Sequence, residues 1–311
     1  MRESGADDLP HAGAPTRRHL CLLGLALRAA VHLGLPALRG TSMVFSMSIM
    51  VVQLVPEGLL LGADRNVTTT VRQGAMIASG QAPRPKVLKW PNREIVVGYV
   101  GRAQIGDEHA DEWLYDFIGR NLDTDLADLA YELKSKLEFD LRGEVAEEPM
   151  TLHLAGFAEA GGQWKPQVWF VRNMRGMDTL GSPINIAEDF EVSEEIDQPI
   201  YFQGRTGDEI RARVEEMAQG WNPFWFHQGY DLGTFNTLDH VLRAAMRAVI
   251  ETHPGQPHPF PATLPEWSKH LKMAILAYGA YFAAFYEPFQ QYVGGGADVV
   301  WATWPSVPPF P

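Results

Sequence analysis

A single cysteine, Cys21, serves the whole chain of 311 residues. No intrachain disulfide can form and the body of the protein has no thiol chemistry, which favours a reducing compartment, so a cytoplasmic location is expected. Basic residues are also short: 26 Lys and Arg against 38 Asp and Glu give a net charge of −12. Residues 1–47 hold five of the arginines and three of the acids, so the remainder has 21 basic and 35 acidic residues, a net −14. With no basic patch to release counterions, neither nucleic acid nor an anionic membrane is an expected partner. Long apolar runs are missing as well. The best candidate, Leu20 to Leu38, follows Arg17-Arg18 in the manner of a signal peptide, but Arg28 and His32 interrupt it and it is too short to span a bilayer. Residues 1–47 therefore read as a leader, a removable propeptide or a start placed too far upstream, expected to be disordered. No phosphate loop, dinucleotide fingerprint, HExxH or CxxC occurs, and no cofactor or metal is expected.

What the chain does have is a core: 46% apolar residues with 21% charged suit one large globular domain, taken as residues 48–311. Its most informative stretch is Ser48 to Asp64, SIMVVQLVPEGLLLGAD. Ile49 to Val55 is apolar apart from Gln53, Pro56-Glu57-Gly58 has the chemistry of a turn, and Leu59 to Ala63 returns as a second apolar run. Neither run alternates with polar residues, so the hairpin is expected to be covered on both faces. Asp64 to Val71 continues as an extended segment, and Gln73 to Pro85 reads as a loop. Two further strands follow, KVLKW at Lys86 to Trp90 and EIVVGYV at Glu94 to Val100.

The period then changes. A helix is expected to open at Gly106-Asp107-Glu108 with Trp113, Leu114, Phe117 and Ile118 on its apolar face, and a second near Thr124-Asp125 with Leu126, Leu129, Leu133 and Leu137. Thr151 to Ala158 and Pro166 to Val171 form another hairpin around Gly161-Gly162. Residues 175–221, with the acidic run Asp189 to Asp197, read as an inserted, mostly solvated flap carrying a short helix at Gly207 to Ala218. Phe224 to His227 is a strand candidate, and Thr237 to Thr252 a helix. A longer helix runs from Glu266 to about Gln290, apolar nearly all round and so expected to be buried, before Gly294-Gly295-Gly296 and a last strand, Asp298 to Thr303. Two packed antiparallel sheets flanked by helices, a four-layer αββα sandwich of the α+β class, would bury every apolar run.

This order, with SIMVVQLVPEGLLLGAD, KVLKW, EIVVGYVG, a helix pair and a late YVGGGADVV, resembles the N-terminal-nucleophile hydrolases, specifically the proteasome β-subunit and the bacterial HslV peptidases. The resemblance covers roughly residues 48–174 and 222–304. It implies an amide or peptide hydrolase whose nucleophile is the first residue of the mature chain and whose α-amine is the base. The family's hairpin spacing, counted back from Asp64, lands on Ser48. Lys86 would tune the amine, Asp64 would hold Lys86, and the Gly101 N–H would form the oxyanion hole. Thr41, in Gly40-Thr41, resembles a self-cleavage junction but lies seven residues too early. The resemblance further implies self-assembly into a homo-oligomeric ring or stack, with room for an ATPase partner. Where the family carries an acid and a serine before its late glycines, this chain has Gln290, Gln291 and Val293. That departure keeps open the alternative of a catalytically inactive subunit with a structural or binding role.

Remaining candidates have plainer readings. Glu108, His109 and Glu112 share one helical turn but find no partner histidine, and His253 and His258 sit among prolines. Trp221, Phe224, Trp225 and Phe226 suit a core strand better than a binding surface. Asn66-Val67-Thr68 is a glycosylation sequon only in a secreted chain.

Overall fold

The computed structural model describes residues 48–73, 76–91, 93–121, 124–177, 183–197, 201–219, 223–229, 232–252, 261–285 and 294–306. Its first hairpin joins β1 (Ile49–Val55) to β2 (Gly58–Asp64), and all fourteen of these residues are buried. The reason is visible in the side-chain alternation of β1. Met50, Val52 and Leu54 enter one apolar cluster, while Ile49, Val51 and Val55 enter another on the opposite face. A strand covered on both sides has no polar face to show.

Two larger sheets are present, both antiparallel throughout. The first has four strands: β12 (Phe224–Gly229) beside β1, then β2, then β13 (Ala297–Thr303). The second has five, with β11 (Pro183–Glu194), β10 (Gln163–Met177), β9 (Met150–Ala160), β6 (Ile95–Gly101) and β5 (Val87–Lys89) in that order. One cluster joins the sheets, packing Met50, Val52 and Leu61 against Val96, Ala155 and Phe170. A second packs Val97, Leu152 and Leu154 of the five-stranded sheet against α1 (Ala110–Arg120) and α2 (Leu126–Asp140). The predicted stripes of both helices are the buried ones, and Asp125 caps α2 by accepting from the Asp128 N–H at 2.9 Å. The third cluster packs Ile49, Val51 and Leu60 against α4 (Leu232–Thr252) and α5 (Leu264–Phe285). The fold is thus mixed α and β, with five α-helices among the described residues and antiparallel sheets.

Several expectations need correction. Gln73 to Pro85 is no loop, since β3 (Asn66–Gln73) pairs along its length with β4 (Met76–Pro83). Gly106-Asp107 is the turn of a small hairpin, β7 (Gln104–Ile105) with β8 (Glu108–His109), so α1 opens later, with Asp111 and Glu112 in its first turn. The segment expected as a flap at 175–221 is mostly solvated, as its composition suggests, but is regular structure, with a strand and a helix that each bury a few apolar side chains. The acidic run up to Glu194 lies in the outer strand β11, which turns Phe190 inward and leaves Glu191 exposed. Charges along an edge strand discourage pairing with other chains, and in the sequence they imitate a solvated loop. The helix that follows, α3 (Gly207–Gln219), opens on a capping box of Thr206 and Glu209 and buries Ile210, Val214 and Ala218. Finally, α5 is not buried all round, because Met273 and Leu276 are exposed.

Candidate active site

Strand register builds the site. Met50 pairs with Ala63, so the next positions out, Ile49 and Asp64, face each other where the hairpin opens, and the Ile49 N–H donates to Asp64 Oδ1 at 3.0 Å. Ser48 lies one residue beyond. Lys86 comes from the other sheet: it directly precedes β5, and its carbonyl accepts from the Tyr99 N–H of β6 at 3.0 Å. The lysine side chain then crosses the gap between sheets. Its Nζ donates to Ser48 Oγ at 2.6 Å and to Asp64 Oδ1 at 3.1 Å. Ser48, Asp64 and Lys86, which are 38 and 22 residues apart from the lysine in the chain, meet with 3%, 1% and 2% exposure respectively.

Burial at this level decides the electrostatics. It pushes the Lys86 ammonium toward its neutral form, opposed by the Asp64 charge, and pushes the Asp64 carboxyl up, opposed by Lys86 and by the Ile49 and Gly294 amides. Both shifts favour a pair in which the lysine gives up a proton more readily than in water. A neutral lysine 2.6 Å from a serine hydroxyl is placed to take its proton, the requirement for an activated oxygen nucleophile. Asp64 is fixed independently by Asn66, whose N–H reaches Oδ2 at 3.1 Å, and by Gly294, whose N–H reaches the same oxygen at 3.3 Å.

Gly101 ends β6. Its φ of +95° and the carbonyl of Pro149, 2.0 Å from where a Cβ would stand, leave no room for a side chain. Along β6 the Tyr99 amide points to Lys86 while the Arg102 amide points to Pro149, so alternation sets the Gly101 amide on the Lys86 edge.

Beside the site, Arg84 grips Asp111 of α1 through two bonds, at 2.8 and 3.1 Å, and Glu112 at 2.6 Å. Glu112 is therefore half of an ion pair rather than one of a cluster with Glu108 and His109. Among the described residues no group of three or more His, Cys, Asp or Glu could hold a metal ion. The Tyr99 hydroxyl is buried without a hydrogen-bond partner, and burial pushes its pKa up. Asn66, the sequon residue, is 8% exposed, and its backbone N–H is committed to Asp64. Phe224 to Phe226 lie in β12, as the strand reading had it. Thr41, Trp221, His253, His258, Gln290, Gln291 and Val293 lie outside the described residues. The residues that sequence reasoning missed are the amide donors to Asp64. A backbone N–H has no letter, and only the run Gly294-Gly295-Gly296 hinted that the chain makes a tight approach there.

No family model and no curated protein matches this chain. No helix among the described residues is long and apolar enough to cross a membrane.

Proposed function

We propose that the protein is an amide hydrolase of the N-terminal-nucleophile type, with Ser48 as nucleophile, on a four-layer αββα sandwich resembling proteasome β-subunits. The observation that carries this reading is the convergence of Ser48 Oγ, Lys86 Nζ and Asp64 from two sheets into one buried, hydrogen-bonded array. Support for the architecture comes from three apolar clusters, one between the sheets and one between each sheet and its own helices.

In the proposed reaction Ser48 Oγ attacks the amide carbonyl carbon and its proton passes to Lys86, or to the Ser48 α-amine once that amine is free. Charge builds on the carbonyl oxygen, where the Gly101 N–H receives it. Collapse of the tetrahedral intermediate breaks the C–N bond, the departing amine takes the proton, and an acyl ester remains on Ser48. Water then attacks that ester, releasing the acid and restoring the hydroxyl. Peptides or other amides are the substrate class, and a cytoplasmic homo-oligomer, ring or stack, is the proposed setting, open to an ATPase partner.

One observation favours the rival reading, a proteasome-like subunit without catalysis: Ser48 is only 3% exposed. The readings separate by covalent labelling. Purified protein is treated with an electrophile selective for activated serines and its intact mass is measured, with Ser48→Ala as control. A single adduct on Ser48, with the residues before it removed, supports the hydrolase. An unlabelled wild type overturns that reading and leaves the subunit.

A further inference from the structure

Asp64 accepts four donors, and they fall into two groups. Oδ1 takes Ile49 N–H and Lys86 Nζ, the working side of the site. Oδ2 takes Asn66 N–H and Gly294 N–H. The last of these comes from a segment 230 residues away in the chain. The same segment is bound back to the hairpin, because the Arg65 N–H donates to the carbonyls of both Gly294 and Gly296, at 3.1 Å each. Gly295 lies against the other Oδ2 donor: a Cβ on it would stand 3.3 Å from Asn66 N and 3.4 Å from the Arg65 carbonyl carbon. Gly295 and Gly296 have φ of +66° and +104°, conformations that side chains rarely adopt. Both donors to Oδ2 therefore depend on how closely this turn sits.

We infer that the turn Gly294-Gly295-Gly296 is a positioning element for the candidate active site, aiming the Asp64 carboxylate at Lys86 through its backbone. The inference rests on the proposed hydrolase reading for its effect on rate, but not for its effect on Lys86. A carboxylate with two donors on its far oxygen is fixed in rotation, which keeps the near oxygen on the lysine. The late residues Gln290, Gln291 and Val293 offer no acid; support from this part of the chain comes from amides instead.

The test compares Gly295→Ala and Gly296→Ala with Gly161→Ala. Gly161 has a φ of +62° in the β9–β10 turn and nothing within 4 Å of its missing Cβ, so it matches the backbone cost at Gly295 without the contact. Labelling of Ser48 by the electrophile is expected to slow about 10- to 100-fold in the two site variants, as for a misplaced catalytic group. Its acid limb should move to higher pH, since a carboxylate stripped of donors keeps its proton longer. Gly161→Ala should match the wild type in both. Titration of Lys86 by NMR reads the same linkage without turnover and is expected to shift in the site variants alone. Unchanged Lys86 titration in both site variants, or an equal change in Gly161→Ala, overturns the inference. A wild type that fails to label overturns the hydrolase reading, and the titration still decides this one.

Discussion

Among the described residues two carboxylate–cation pairs are buried deepest, and they are built differently. Asp64 and Lys86 come from different sheets, and the lysine also holds a serine hydroxyl. Asp239 and Arg243 lie one turn apart on α4, 2.5 Å from each other, against His270 of α5. Burial is similar, with Asp64 and Asp239 each 1% exposed. The cation makes the difference. An arginine stays protonated at any accessible pH, so it cannot itself accept a proton from a neighbour, whereas a lysine driven down by burial can exchange one. A buried ion pair by itself is weak evidence of function. A buried pair whose lysine also holds a serine hydroxyl is a stronger one.

Lys86→Met breaks the comparison hardest. It removes the proposed base and strands Asp64, so labelling of Ser48 should fall by about three orders of magnitude. Chemical denaturation should show a loss on the order of 3–5 kcal/mol, the usual consequence of leaving one buried charge unpaired. Lys86→Arg should recover most of that stability and none of the labelling. Near-normal labelling by the arginine variant would mean that the lysine supplies only charge, and the distinction between the two pairs would collapse.

Asp64→Asn keeps the shape of the site and removes its anion. The amide can still accept from Lys86, so stability should suffer less than in Lys86→Met, while labelling falls by roughly two orders of magnitude as the lysine loses its orientation. A variant that labels like the wild type would show that Asp64 is a structural residue. Arg243→Met supplies the contrast from the other pair. Asp239, raised by burial to about 6, can meet the loss of its partner by taking up a proton, so the cost should shrink as pH falls toward 5. Labelling per folded molecule should be unchanged. A fall in that rate would tie the helix pair to the site and contradict the assignment of a purely structural role.

How far the sequence carries this comparison depends on what has a side chain to read. The hairpin was legible because fourteen covered residues leave a continuous apolar run, and its spacing pointed to Ser48, Asp64 and Lys86 through a resemblance to a known family. The leucine stripe of α2 and its Asp125 cap were equally plain. β4 was hidden because MIASGQAP mixes turn formers with few β-branched residues and forms only by pairing with β3. β11 was hidden by the charges of an edge strand. The Gly294 amide was hidden because recognition through the backbone is independent of residue type, and Asp239 because an Asp and an Arg four apart usually mark a solvated helix face.

The smallest effect is the most diagnostic of the structural pair, because the wild type should conceal it. Asp239 is raised from 3.8 to about 6, so it contributes stability that is full below pH 3.8 and lost as pH rises through about 6. His270 is depressed by burial, and secondarily by Arg243, from 6.5 to about 4, so its contribution is present above pH 6.5 and lost as pH falls through about 4. Across this window the two run in opposite directions with similar size, so in the wild type their contributions largely offset each other. His270→Phe removes one of them. Relative to the wild type, stability by urea denaturation at a series of pH values should then fall between pH 4 and pH 6.5 by an amount on the order of 2–3 kcal/mol. His240, exposed on the same helix, is common to both proteins and cancels in the difference. A His270→Phe profile parallel to the wild type would show that His270 contributes nothing to the pH dependence, whereas a variant whose stability does not fall across this window would show that Asp239 stays ionised beside Arg243, and the two buried pairs would then be electrostatically alike.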